Sequence, residues 1–165
     1  MRRRLITALS PLVLLGTLAC QPGDFRPGAW LSGEEVPTPV TDWAFTDAFQ
    51  NCYLEAATWY RIPHSVELWC AEHDGGFYIG SMSDSGAWVG ERKWEKHLAR
   101  NGDGAVRVDG KIYRGTLVRV EDAGLTEAIQ QRYTAKYGSS EEWKGTLDEK
   151  GQPPNWRFYR FSQRG

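Results

Sequence analysis

Histidine is scarce in this chain: three residues, His64, His73 and His97, among 165. Neither they nor the three cysteines stand at the close spacing of a metal-binding motif, so no metal centre is expected. No grouping of Ser, His and Asp suggests hydrolysis. An excess of positive charge is also missing, with 20 Lys and Arg against 21 Asp and Glu. The chain therefore lacks the electrostatic footprint of a nucleic-acid binder. No internal repeat is present, which leaves a globular domain rather than a stacked array.

What is plentiful is aromatic surface. Aromatic residues make up 13% of the chain and include eight tryptophans, which must be packed or line a cavity. A disordered segment would not carry them. They are spread over a length suited to one domain with a core of its own, and too short for two comfortable ones.

The first residues, MRRRLITALSPLVLLGTLAC, are set apart from the fold. Arg2 to Arg4 precede an apolar stretch, Leu5 to Leu15, too short to make a comfortable membrane span, and the pattern is that of an export signal over 1–19. The order Leu18-Ala19-Cys20 resembles the lipobox of bacterial lipoproteins, with Thr17 where that motif usually has Leu. The resemblance implies lipidation of Cys20, a membrane lipid anchor, and a periplasm-facing protein tethered by acyl chains rather than by a spanning helix. The alternative is an ordinary secretory peptide. Residues 20–41 hold four prolines and read as an extended tether, in which Trp30 and Leu31 are the residues able to pack onto the domain.

From 42 to 165, short alternating runs dominate: Phe49 to Thr58, Ser65 to Cys70, Gly76 to Gly80, Ala105 to Val108, Ile112 to Val120 and Trp156 to Phe161. Asp74-Gly75-Gly76 and Asp109-Gly110 separate neighbouring runs as tight turns, because glycine accepts positive φ without steric cost. Two stretches have helical spacing instead. In ERKWEKHLARN, Trp94 and Leu98 share a face; in LTEAIQQRYTAKYG, Leu125, Ile129, Tyr133 and Tyr137 form an apolar stripe ahead of Gly138 as a stop. The segment SSEEWKGTLDEKGQPPN reads as a surface excursion that Trp143 pins down. The expected fold class is α+β, mainly β with two helices, an antiparallel sheet closed into a barrel that removes its own edges.

The succession FYIGS, ERKWEKHLARN, AVRVDGKIYRG, LVRVED, a helix ending KYG, and WRFYRF resembles the split β-barrel group that includes pyridoxamine 5′-phosphate oxidases and deazaflavin-dependent nitroreductases. The resemblance spans about residues 43 to 161 and implies a Greek-key-like split barrel. It also implies a groove for a flavin mononucleotide (FMN) or deazaflavin, with Arg92 and Lys93 gripping the cofactor phosphate, Ser81 beside them and Trp88 as a lid, and it implies a homodimer whose second subunit completes the groove. Cations and helix-start amides suit a phosphate dianion. Asp84, Glu91 and Glu67 are departures that would repel one. A solvated helix face is the other reading of Arg92 and Lys93.

His64 follows Pro63, which fixes a turn and keeps Ile62 away from helical angles. Three readings of its imidazole stand side by side: a cap on turn backbone, a proton carrier, or a haem ligand. Cys52 and Cys70, in an exported chain, are either joined in a disulfide or separately buried. Two functions follow. One is an exported barrel that holds a small-molecule ligand or a partner without established catalysis. The other is a flavin- or deazaflavin-dependent oxidoreductase, nitroreductase-like or oxidase-like, whose cofactor would supply the hydride chemistry.

Overall fold

The computed structural model describes residues 21–22, 26–82, 92–151 and 155–165. Among these residues seven strands and three α-helices follow one another: β1 Glu34–Glu35, β2 Asn51–Ala56, β3 His64–His73, β4 Gly76–Met82, α1 Lys93–Asn101, β5 Asp103–Val108, β6 Lys111–Arg119, α2 Ala123–Tyr137, α3 Glu141–Lys144 and β7 Trp156–Gln163. Six of the strands close into an antiparallel barrel in the order β2-β3-β4-β7-β6-β5, with β5 paired back onto β2. The seventh, β1, lies outside and runs parallel to the start of β6. This is the expected split barrel, mixed α+β.

Alternation along the strands builds two cores. Phe77, Ile79, Tyr159 and Phe161 point into the barrel with Leu54, Val106 and Leu117, while Tyr78, Trp156 and Phe158 point outward and are covered by Ile129, Tyr133 and Tyr137 of α2. Because β4 and β7 are buried on both faces, their apolar positions are nearly continuous. Gly80 is demanded by this packing: a Cβ there would lie 2.8 Å from the Trp156 ring and 2.9 Å from that of Tyr133. Both hairpins use the anticipated Asp-Gly pairs. Asp74 and Gly75, and Asp109 and Gly110, all have positive φ, the geometry whose twist matches the strands it joins.

The helices start and stop for local reasons. Asp122 caps α2 by accepting the Leu125 N–H at 2.7 Å. Gly138 follows α2 as expected, but with right-handed helical angles rather than a left-handed stop. The turn is completed by Ser140, whose Oγ accepts the Trp143 N–H and starts α3. That short helix was read from the sequence only as a polar excursion; Trp143 is buried against Trp69 and Trp156 and pins it. By contrast α1 ends at a left-handed Gly102, φ 72°, whose N–H returns to the Leu98 carbonyl at 2.7 Å.

The leader is docked along the barrel. Leu31 is buried with Ala105 and Ile112, Gly28 and Ser65 exchange backbone hydrogen bonds of 2.8 and 3.0 Å, and the Gln163 side chain ties Val36, Thr38 and Val40 to β7. These contacts cover edges that the barrel leaves open, since β4 pairs with β3 only from Cys70 to His73. Among the described residues no helix is long and apolar enough to cross a membrane.

Candidate functional site at the α1 end of the barrel

The end of the barrel where β2 finishes and β3 begins is plugged by α1. Trp94 and Leu98 enter the interior core, as their shared face predicted. Between them in sequence stands Glu95, only 2% exposed although it is an acid. Its carboxylate receives Arg157 Nε at 2.8 Å and Arg157 Nη2 at 2.9 Å, the Tyr159 hydroxyl at 3.0 Å, and the Arg92 backbone N–H at 2.5 Å. The last bond is the reach of a third helical residue back to its own N-cap amide. Burial alone would raise the Glu95 carboxyl, but the hydrogen bonds from Arg157, Arg92 and Tyr159 outweigh it and hold the group below its ordinary value. The same pairing, together with burial, pushes the Tyr159 phenol up.

Ser81 and Arg157 are cross-strand partners on β4 and β7 and share the inward face with Tyr159. Ser81 is buried, and its Oγ has no hydrogen-bond partner among the described residues. Lys93 opens α1 from an exposed position, while Arg92 is half-buried. Burial lowers the Arg92 guanidinium somewhat from its usual value, with Glu95 opposing and Arg157 adding to that shift. Ser81, Arg92 and Lys93 thus lie at one end of the barrel. Trp88, the proposed lid, lies outside the described residues, as does Cys20.

His64 is the first residue of β3, opposite Ala56, rather than a residue of the turn. Its ring lies 5.9 Å from that of His97, which in turn meets Tyr60 at 6.1 Å. Burial lowers the His64 imidazole, as do His97 and Lys93; burial and Arg100 lower His97. Both shifts favour the neutral imidazole. His97, expected to be solvated, has a buried Nδ1 without a partner among the described residues.

Cys52 and Cys70 are both free thiols, fully buried in the barrel. They are diagonal neighbours rather than opposites, because Cys52 faces Leu68. Burial and the hydrogen-bonded Cys70 thiol raise Cys52 well above its ordinary value, which leaves it an unreactive thiol. A groove of about 420 Å³ between the leader and β5–β6 is lined by charge that is already paired. Arg114 holds Glu35 at 2.6 Å and Glu55 at 3.5 Å, and Arg164 holds Asp103 at 2.8 Å.

The site residues missed in the sequence are Glu95, Arg157 and Tyr159. A signal for two of them was available. In WRFYRF, period-two alternation that sends Tyr159 and Phe161 inward also sends Arg157 inward, and an arginine in a barrel needs an acid. A phosphate held at the start of α1 would draw on the Arg92 amide and on the cation beside Ser81; the Glu95 carboxylate already occupies both donors. The Lys93 ammonium, exposed at the helix start, is not part of that pairing.

No protein-family model matches this sequence, and no curated protein matches it. Solved structures do. A conserved hypothetical protein from Mycobacterium tuberculosis superposes with a TM-score of 0.54 at 16% identity, over 73% of this chain and 77% of that one. An F420-H2-dependent reductase matches with a TM-score of 0.50 at 12% identity, over 69% of this chain and 95% of that one. A protein described as a candidate 5-nitroimidazole antibiotic resistance protein from Bacteroides thetaiotaomicron gives 0.50 at 11% identity, over 78% and 83%. Identities this low speak for fold alone, and the fold they share with this chain is the split β-barrel.

Proposed function

We propose that the mature chain is an exported, lipid-anchored split barrel that holds a ligand or partner at the α1 end without running flavin chemistry. One observation supports this reading: Glu95 takes the Arg92 amide and two nitrogens of Arg157, so these donors at the start of α1 are spent inside the protein. A buried, fully bonded ion pair is not exchanged cheaply, because separating it leaves a charge without solvent or partner. The reading places Cys20 at the membrane, the domain in the periplasm, and Trp88 over the ligand as a lid. A homodimer that completes the site from its second subunit belongs to the same reading.

A second reading, a flavin- or deazaflavin-dependent oxidoreductase, is favoured by Ser81, whose buried Oγ is left for a ligand, and by the fold shared with an F420-H2-dependent reductase. Fold alone does not decide between them. The absorption spectrum of the full chain, extracted from membranes, does so. The first reading expects no flavin band, no Soret band that would put His64 on haem iron, and no spectral change on adding FMN, a deazaflavin or haemin. A stoichiometric flavin band that survives dialysis overturns it in favour of the second.

A further inference from the structure

We propose that the corner between β2 and β3, together with Trp30, is the membrane-contacting surface of the barrel, seated in the interfacial layer of an anionic bilayer. The proposal rests on the reading of Cys20 as the lipidated residue, and it adds which face of the domain meets the lipid.

The corner is unusual in what it exposes. Trp59 is 75% exposed, Ile62 51% and Tyr60 45%, all within four residues, and Trp30 is 53% exposed. Scattered apolar residues on a surface need no explanation, but three large ones within four consecutive residues do, and Trp30 on the leader is a second exposed indole. Nor is the corner a loose loop. The Thr58 hydroxyl donates to the Ile62 carbonyl at 2.7 Å, and Arg61 N–H returns to the Thr58 carbonyl with a left-handed φ of 66°. Trp59 packs edge-on against Tyr60, and Tyr60 against His97 of α1. The aromatic side chains are thus held outward on a braced scaffold.

The anchor leads to the same place. Gln21, the residue that follows Cys20, is fixed on the barrel. Its Nε2 donates to the Trp30 carbonyl at 2.7 Å, and its Oε1 accepts from the Ser32 N–H at 3.3 Å and Arg107 Nη1 at 2.8 Å. Gly28, two residues before Trp30, is paired with Ser65, three residues after Ile62. An acyl group on Cys20 starts one peptide unit, about 3.8 Å, from Gln21, so the docked leader leaves no slack to lift the barrel off the bilayer. The side of the domain carrying Trp30 and the corner is consequently the side drawn to the membrane.

Chemistry fits that placement. Indole and phenol rings settle at the headgroup level, apolar body inward and polar tip wet. Exposed Arg26 and Arg61 lie in the two segments concerned and meet anionic headgroups, although the chain as a whole is slightly acidic. The acyl chains supply the anchor, and the aromatic and cationic patch sets how the domain lies on the bilayer. A patch that served to recruit a second copy of this chain would not need the anchor to be stitched down beside it.

The test uses the full-length lipidated chain in vesicles of phosphatidylethanolamine and phosphatidylglycerol. Nitroxide labels are placed at Ile62→Cys and, as a control at the opposite end of β3, at Asp74→Cys; the native Cys52 and Cys70 are buried and do not compete. We expect the Ile62 label to lose collisions with an aqueous nickel complex severalfold on vesicle binding and to gain them with oxygen, while the Asp74 label stays water-exposed. Equal nickel accessibility at both positions, in protein that floats with the vesicles, overturns the surface and leaves the anchor reading intact. Failure to float, with an unacylated N-terminus by mass spectrometry, overturns the anchor reading instead. Protection of Ile62 from both reagents without vesicles, in a particle of twice the mass, assigns the patch to a second copy and overturns the proposal.

Discussion

The two helices that cover this barrel do opposite jobs. On the α2 side most buried polar groups are paired: the Tyr133 hydroxyl donates toward the Trp69 and Tyr78 carbonyls, the Tyr137 hydroxyl toward those of Gln50 and Cys70, and Lys136 Nζ reaches the carbonyls of Thr46 and Cys70, whereas Trp156 Nε1 and Asp47 Oδ1 have no hydrogen-bond partner among the described residues. Around them Trp69, Trp143, Trp156 and Phe158 stack into a continuous aromatic wall. The α1 end instead combines a buried ion pair with buried polar atoms, Ser81 Oγ and His97 Nδ1, that have no partner among the described residues. Unpaired buried groups cost stability and persist where something else uses them. What separates the two sides is therefore the kind of interaction that fills them: stacked aromatic rings under α2, and a buried ion pair between Glu95 and Arg157 under α1.

The largest effect that would sharpen this contrast is at Tyr133. Tyr133→Ala empties the middle of the aromatic wall and is expected to cost about 4 kcal/mol by urea unfolding, with no need of a ligand to reveal it. If the variant unfolds near the wild-type midpoint, the α2 side is not the structural half of the molecule.

Glu95→Gln comes next. Removing one charge of a buried pair costs about 3 kcal/mol because Arg157 is left without its counterion. The pH dependence has a definite sign. Since the folded carboxyl titrates below its ordinary value of 4.5, its contribution is complete above that pH and disappears as pH falls through the lower folded value. Stability measured across pH 3 to 7, taking about 1.4 kcal/mol per pKa unit, should show the wild-type advantage over the variant shrinking only in acid. An advantage that grows on acidification would mean that Glu95 is protonated in the native state.

Gly80→Ala pushes a methyl between the Trp156 and Tyr133 rings and is expected to cost about 1–3 kcal/mol. The smallest effect carries the opposite sign. Ser81→Ala removes a buried hydroxyl that has no partner among the described residues, so thermal unfolding of the free protein should rise, by about 1 kcal/mol at most. A loss of stability there would show that the hydroxyl is already bonded within the chain and is not left for a ligand.

Much of the fold was legible in the sequence because the fold follows periodicity. Six alternating runs became the six barrel strands, the Asp109-Gly110 turn sits where its glycine demanded, and the Ile129-Tyr133-Tyr137 stripe is the buried face of α2. Helix α3 was not legible, since Ser140 and Glu141 look alike in a capped helix and in a polar loop, and only the burial of Trp143 between other indoles decides. The site was legible in part. Ser81, Arg92 and Lys93 do meet at one end of the barrel, but the partner that changes their meaning is far off in the chain: Glu95 and Arg157 are brought together by strand pairing that no local pattern records. His64 was read as a turn residue because Pro63 marks a corner, and strand pairing with Ala56 claims it instead. Register also sets the free Cys52 and Cys70 thiols diagonally across β2 and β3.

Calorimetric titration of FMN into the full chain tests the central claim, that Glu95 stands in the place of a cofactor phosphate. The account predicts no binding heat for the wild type and a gain of binding for Glu95→Ala, in which the Arg92 amide and Arg157 are released. One-to-one binding by the wild type that is lost in the Arg92→Ala, Lys93→Ala double variant would contradict it.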